Sequence, residues 1–421
     1  MTLPADIDEK LVDPGYFAGT AFHEDLTRLR HEDPVHWTNP ASFGRGFWSL
    51  TRYEDCLTLL QDTDNFSNHL GTHLPPHGRD LTPDEERKMG VDVNIGFIDP
   101  PYHGEIRRPF NPHFSVPAVA KMHDDCGDII DDIIDGVAAS GTADVVRDIA
   151  APLPARLFLS MMGVPEDDWD LVRAITLKMM HPDDPTWGVP DAVDMNAVTA
   201  DAFGELQDYL SQHVLSRRGS TAKDMASIIA NKDIRGRKLT DREASVMGMV
   251  IVGGGLETTR NAAAIGIMEL IRRPEQAALL QDDTIAKTAV EEIIRWVTPS
   301  KNRIRLALND VEIGGKQIKK GDWVVGWVVS ANRDEEIFGP TADQFDITRD
   351  PNPHLGFGDG EHICLGRNVA RLELRMLLPR LFDRLPDMRI TEEPTWVHST
   401  NTTGIADLPI AFEPRSSLIP A

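Results

Sequence analysis

Cysteine is scarce in this 421-residue chain: Cys56, Cys126 and Cys364 are an odd number and widely scattered. That excludes the disulfide framework of a small secreted fold, and a reducing cytoplasm is the expected compartment. Positive charge is short as well, with 43 Lys and Arg against 67 Asp and Glu and a formal net charge of −24. Phosphate backbones and anionic lipid surfaces call for concentrated basic patches. Neither nucleic acid nor membrane is therefore an expected partner. Long hydrophobic runs are missing too. The longest candidate, ASVMGMVIVGGGL (Ala244–Leu256), has about 13 residues before Glu257 closes it, short of the roughly 20 a membrane span needs. The N-terminal MTLPADIDEKLVDPGYF lacks the basic-then-apolar build of a signal peptide. There is no repeat and no low-complexity tract.

What remains is an ordinary globular composition, long enough for a large core. Length alone suggests two or three domains, but no linker divides the chain. Residues 1–421 are expected to form one domain, mainly α with a minor β portion. FWSLTR (Phe47–Arg52) reads as a strand and YEDCLTLLQD after it as a helix. A Gly- and Pro-rich stretch from His69 to Pro101 follows, long enough to suggest a lid or binding loop. Helical patterns dominate from Pro117 to Arg295, including the paired apolar residues of DIIDDIIDGV (Asp128–Val137). An irregular patch at Met179–Asp194 interrupts them. Beyond Arg305, DVEIGGKQIKKGDWVVGWVV reads as strands with a hairpin turn at Gly314-Gly315.

Chemistry concentrates in FGDGEHICLG (Phe357–Gly366), where Cys364 stands among glycines just before the helix RNVARLELRMLL. A lone cysteine after a turn is ordinarily structural. Here, amides at a helix start favour a thiolate. Glycines without Cβ let main chain lie flat against a macrocycle and donate to sulfur. Both features suit an axial iron ligand, and a thiolate on haem iron favours O–O cleavage. A second motif, GGGLETTRN (Gly253–Asn261), puts three glycines in a long apolar helix beginning near Thr240. Each costs about 1 kcal/mol relative to alanine, so the space or a kink is needed there. Glu257 and Thr258 follow at once.

The five positions Phe357, Gly360, His362, Cys364 and Gly366 resemble the haem-binding signature of the cytochrome P450 family of haem-thiolate monooxygenases. The resemblance runs from about Asp99 to Glu373. It implies the family's triangular, helix-rich prism with small β-sheets, haem b as cofactor, and Cys364 as the ligand to iron. GGGLETT resembles the oxygen-binding groove, with Thr258 as the proton-network hydroxyl and Glu257, in place of the commoner Asp, as the acid. His103, Arg107, Arg305 and His362 match the residues that hold the haem propionates, and Phe357 and Gly366 belong to the cysteine loop. Glu292-x-x-Arg295, through Arg349, resembles the family's buried ion pair.

The implied activity is hydroxylation of a small hydrophobic molecule with O2. With no flavin domain and no membrane anchor in the chain, electrons are expected from NAD(P)H through a reductase and an iron–sulfur ferredoxin. Arg108, Arg367, Arg371 and Arg375 are the expected docking surface. Expected pocket walls are Ile95, Phe97, Met179, Met180, Trp187, Val189, Gly254, Leu256, Thr258, Lys301, Asn302, Thr402, Thr403 and Ile405. The loop patterns resemble terpenoid- and steroid-hydroxylating members more than fatty-acid ones. An electron carrier or gas sensor and a peroxide-dependent peroxygenase are the rival readings. Neither carrier nor sensor needs the Glu257–Thr258 pair, and peroxide-using relatives typically replace it.

Overall fold

The computed structural model describes residues 4–180, 195–234 and 236–414. The helices that build the site are α1 (Tyr53–Gln61), α2 (Tyr102–Arg107), α3 (His123–Ala138), α4 (Pro152–Met161), α5 (Trp169–Met180), α6 (Met195–Ser216), α7 (Asp241–Ile271), α8 (Asp283–Val297) and α9 (Arg367–Arg384). The strands considered below are β1 (Val35–Thr38), β2 (Phe47–Leu50), β3 (Phe66–Ser67), β4 (Arg303–Ala307), β5 (Val311–Ile313), β6 (Lys316–Ile318) and β7 (Trp323–Gly326). Helix-rich with small sheets, the fold agrees with the mainly α expectation.

Helix α7 is the spine. Its start is a reciprocal capping box: Thr240 Oγ1 accepts from the Glu243 amide, and Glu243 accepts from the Thr240 amide. From there 31 residues run about 46 Å. Its side chains are buried nearly all round, as suits a helix that is apolar on every face. Around it α3, α4, α6, α8 and α9 share one large core, with Ile130, Phe158, Leu210, Ile265, Ile293 and Leu377 among its members.

The main sheet has the order β1-β2-β7-β4-β3, antiparallel except for the β2–β7 pair. Strand β7 is buried along its whole length. Val324 joins the cluster with Leu50, Leu59 and Leu355, whereas Trp323 and Val325 face Phe17, Phe22 and Trp327. Alternation across a central strand serves both faces. The expected Gly314-Gly315 hairpin forms, with Val311 opposite Ile318, both glycines having positive φ.

Two local expectations need amendment. The Gly- and Pro-rich stretch contains a helix, Pro83–Met89, started by a Thr82–Glu85 capping box. Helix α9 does not stop near Leu378 but continues through Pro379 to Arg384. Leu377, Leu378 and Leu381 are all fully buried, and their packing outweighs the roughly 3 kcal/mol that an interior proline costs.

Candidate active site around Cys364

Four elements bring the sequence-selected residues to one cavity. Its floor is the cysteine loop, with Phe357, Gly358, His362, Cys364 and Gly366. The opposite wall is α7, presenting Gly254, Gly255 and Thr258. One side carries His103 and Arg107 from α2 with Arg305 from β4. Cys364 is the only cysteine of the three with exposed surface, and that surface faces the cavity.

The cysteine loop is held by main-chain geometry. Cys364 N donates to Phe357 O at 2.8 Å, closing the loop on itself. At Gly360 (φ 65°) a Cβ would lie 2.7 Å from Leu60 O, so only glycine fits. Arg107 donates through Nη1 to Glu361 O at 3.0 Å and through Nη2 to Ile363 O, strapping α2 to the loop. Depth in the protein pushes the Cys364 thiol up from its ordinary value. The Gly366 amide and the guanidinium groups of Arg303, Arg107 and Arg367 pull it the other way.

The cationic side is unpaired. Among the described residues no carboxylate salt-bridges Arg107, Arg303 or Arg305, and both ring nitrogens of His103 and Nε2 of His362 are buried without partners. The two imidazoles lie 4.0 Å apart between ring centres. Burial, then Arg107, brings His103 down to about 4. Burial, then His103 and the nearby arginines, brings His362 down to about 2. Burial lowers Arg303 to about 10 and Arg305 to about 9. Such a set of buried donors is costly alone and suits an anionic ligand. Among the described residues no three His, Cys, Asp or Glu side chains converge on one point. A metal at Cys364 must therefore bring other ligands with it. Porphyrin iron would meet each condition: Cys364 would supply one thiolate, the glycines would leave room for the macrocycle, and the cations would hold two propionates.

Thr258 faces the cavity, and its hydroxyl donates to Gly254 O at 3.1 Å. Glu257 does not line it. Its carboxylate, 1% exposed, accepts from Arg260 at 2.5 Å and Asn261 at 3.0 Å. Glu257, the expected acid, is thus tied into an ion pair along its own helix. The Glu292–Arg295 pair is buried as expected, both at 0% exposure. Two 2.7 Å bonds join them, and Arg349, Asn352 and the Asp346 amide complete the carboxylate's shell.

Several expected pocket residues point elsewhere. Leu256 is absent from the cavity because it lies on the far side of α7 from Gly254 and Thr258. Phe97 lies outside it, against Gly71. Lys301 donates to Ser399 O and Thr402 O beneath the rings of Phe17 and Phe22, and burial brings it down to about 7. Asn302 binds Leu74 N and Thr400 O. Pro299 and Ser300 line the cavity in their place, while Thr402, Thr403 and Ile405 do not. Trp187 and Val189 fall outside the described residues, as do the side chains of Met179 and Met180. Ile95, Phe158, Val250, Ile251 and Ile294 supply the apolar wall; of these only Ile95 was expected.

The proposed docking arginines divide. Arg371 makes two bonds to Glu291 and stacks on Phe357, and Arg375 pairs with Asp283. Arg108 and Arg367 instead line a groove behind the cysteine loop, with Gln61, Asn111 and Asn368. Among the cationic residues of the cavity one was missed. Arg303 lies two before Arg305 in β4 and hence on the same face, a period-2 signal legible in RIRLA.

Residues 176–386 match the family model described as Cytochrome P450. The chain is 35% identical over 405 residues to cytochrome P450 126 of Mycobacterium tuberculosis, covering 94% of this chain and 96% of that one. It is 32% identical over 425 residues to the steroid C26-monooxygenase of Rhodococcus jostii, with 99% and 87% covered. A solved structure of the Mycobacterium marinum cytochrome P450 CYP268A2 in complex with pseudoionone superposes with a TM-score of 0.87 at 29% identity. That match covers 95% of this chain and 97% of the other.

Proposed function

The chain belongs to the cytochrome P450 family of haem b monooxygenases, and from that premise we propose that it hydroxylates a terpenoid- or steroid-like molecule with Cys364 as its iron ligand. The observation that carries this reading is the accessible Cys364 sulfur facing Gly254 and Thr258 across a cavity flanked by unpaired cations. Haem b, when bound, activates dioxygen and places one of its atoms in a substrate C–H bond.

The protein's own residues do the rest. Arg107, Arg305, His103 and His362 hold the propionates and fix the macrocycle. Gly254, whose added Cβ would meet no atom within 4 Å, leaves room above it for oxygen and substrate. The Thr258 hydroxyl, now donating to Gly254 O, turns to pass a proton into the cavity. Glu257 replenishes that proton only when its contact with Arg260 opens, which makes proton entry a gated step. Apolar walls from Ile95, Val250, Ile251 and Ile294 exclude water and hold the substrate. The steroid substrate named for one relative and the pseudoionone bound to another support the proposed class.

Electrons arrive from NAD(P)H through a reductase and an acidic ferredoxin that docks on Arg108 and Arg367, which line the groove behind the loop, whereas Arg371 and Arg375 are already paired with carboxylates. The test compares product formed with NAD(P)H, reductase and ferredoxin against peroxide alone, in the parent and in Cys364→Ala. Product only with the full electron chain, and loss of the carbon monoxide difference band in Cys364→Ala, are expected. A variant that keeps the parent's optical bands removes Cys364 from the iron.

A further inference from the structure

Arg303 stands apart from the four residues assigned to the propionates. Its Nη1 donates to His73 Nε2 at 3.0 Å and to Asn302 O at 2.8 Å. A guanidinium only donates, so His73 Nε2 accepts. The ring proton is therefore on Nδ1, which donates to Thr72 Oγ1 at 2.9 Å. Ser300 Oγ lies 3.2 Å from the same Nε2. Both nitrogens of His73 are thereby engaged, and the ring is kept neutral, at about 3, by burial and then by Arg303 and Arg305. What this cluster presents to the cavity is the remaining N–H edge of Arg303 and the hydroxyls of Ser300 and Thr72, all cavity-lining.

Charge accounting points the same way. Three arginines line the cavity, Arg107, Arg303 and Arg305, and the only lining carboxylate among the described residues is Asp359. That carboxylate already accepts from Gln61 and from the Gly360 amide. With the Cys364 thiolate set against the charge of a ferric porphyrin, two propionates neutralise two of the three cations, and one part-buried positive charge is left over. A desolvated guanidinium without an anion is unfavourable, and its planar fork matches a carboxylate.

We propose that Arg303, with Ser300 and Thr72, forms a subsite for a carboxylate at one end of an otherwise apolar substrate. The substrates are then hydrophobic carboxylic acids, with the acid group gripped at β4 and the chain or ring system laid along Ile95, Val250 and Ile251. This rests on the monooxygenase reading and narrows its substrate class.

The experiment titrates the haem-loaded ferric protein with geranic acid and cholanic acid, each against its methyl ester, following the spin-state change of the haem band. Each acid is expected to bind about tenfold tighter than its ester, about 1.4 kcal/mol. Arg303→Gln removes that preference while haem content stays at the parent's level. Ser300→Ala, which spares the guanidinium, reduces the preference several-fold and covers the case in which Arg303→Gln does not fold. Acids that bind no better than esters overturn the inference. So does Arg303→Gln protein with lowered haem content whose haem-loaded fraction keeps the acid preference, since Arg303 then serves a propionate. A parent protein without a carbon monoxide difference band is a failure of the monooxygenase reading instead.

Discussion

Gly254 and Gly255 are neighbours on α7, yet alanine at the two positions should act in opposite directions. A Cβ at Gly255 would lie 2.4, 2.5 and 2.7 Å from three ring atoms of Phe158. Carbon pairs rest at about 3.5–4.0 Å, so the ring must retreat by roughly 1 Å. Phe158 is buried in α4 against the core and has little room for that. Overpacking of this kind costs about 1–3 kcal/mol, against about 1 kcal/mol gained from the better helix propensity of alanine. At Gly254 nothing lies within 4 Å, and only the gain applies. The two variants should thus differ by roughly 1–3 kcal/mol. For 421 residues the unfolding entropy is about 0.9 kcal/mol per kelvin, which turns that gap into roughly 1–3 °C in Tm. Thermal melts of both haem-loaded variants followed by circular dichroism provide the measurement. Gly255→Ala melting at or above Gly254→Ala would refute the reasoning. Substrate affinity should fall instead in Gly254→Ala, whose methyl enters the cavity.

Arg295→Met strips the fully buried Glu292 of two bonds and leaves the carbonyls of Asn332 and Ala342 without a side-chain donor, while Gln344 O keeps only Arg349. About 3–5 kcal/mol of stability should be lost, seen as a lower Tm; a change within error would show that Arg349 and Asn352 suffice. Burial raises the Glu291 carboxyl, but Arg371 and His354 outweigh it and bring it from 4.5 to about 2. Its depressed value means the contribution is complete above pH 4.5 and fades as the pH falls toward 2. Glu291→Gln should therefore be less stable than the parent above pH 4.5, with the gap closing in acid, as read from urea midpoints across that range. Reversal of Arg108 and Arg367 to Glu should slow reduction by ferredoxin and leave dithionite reduction unchanged. Equal ferredoxin rates would move the docking site elsewhere.

The parts of the site legible in sequence are those set by local geometry. The cysteine loop, the helix start at Thr240–Glu243 and the Glu292–Arg295 spacing each depend on residues a few positions apart, and each stands where expected. Leu256 was misplaced although the information was present, since two residues along a helix is a turn of about 200°. The partners of Lys301 and Asn302 were not legible: their acceptors lie some hundred residues away in the C-terminal turn. The same holds for α9. Its arginines share one face as the spacing of four implies, but α8 sets Glu291 and Asp283 opposite two of them. Only the packing of the two helices reveals which charges are already spent.

The ammonium of Lys301 joins parts of the chain that the sequence keeps far apart. Phe17 and Phe22 cover it from near the N-terminus, the carbonyls of Ser399 and Thr402 accept its hydrogen bonds near the C-terminus, and Ser300 beside it is part of the cavity wall. Shape at the substrate chamber is therefore fastened at a single nitrogen by two segments, one holding Phe17 and Phe22 and the other Ser399 and Thr402. Removing either of those segments is an intervention on the pocket, however distant it looks along the chain.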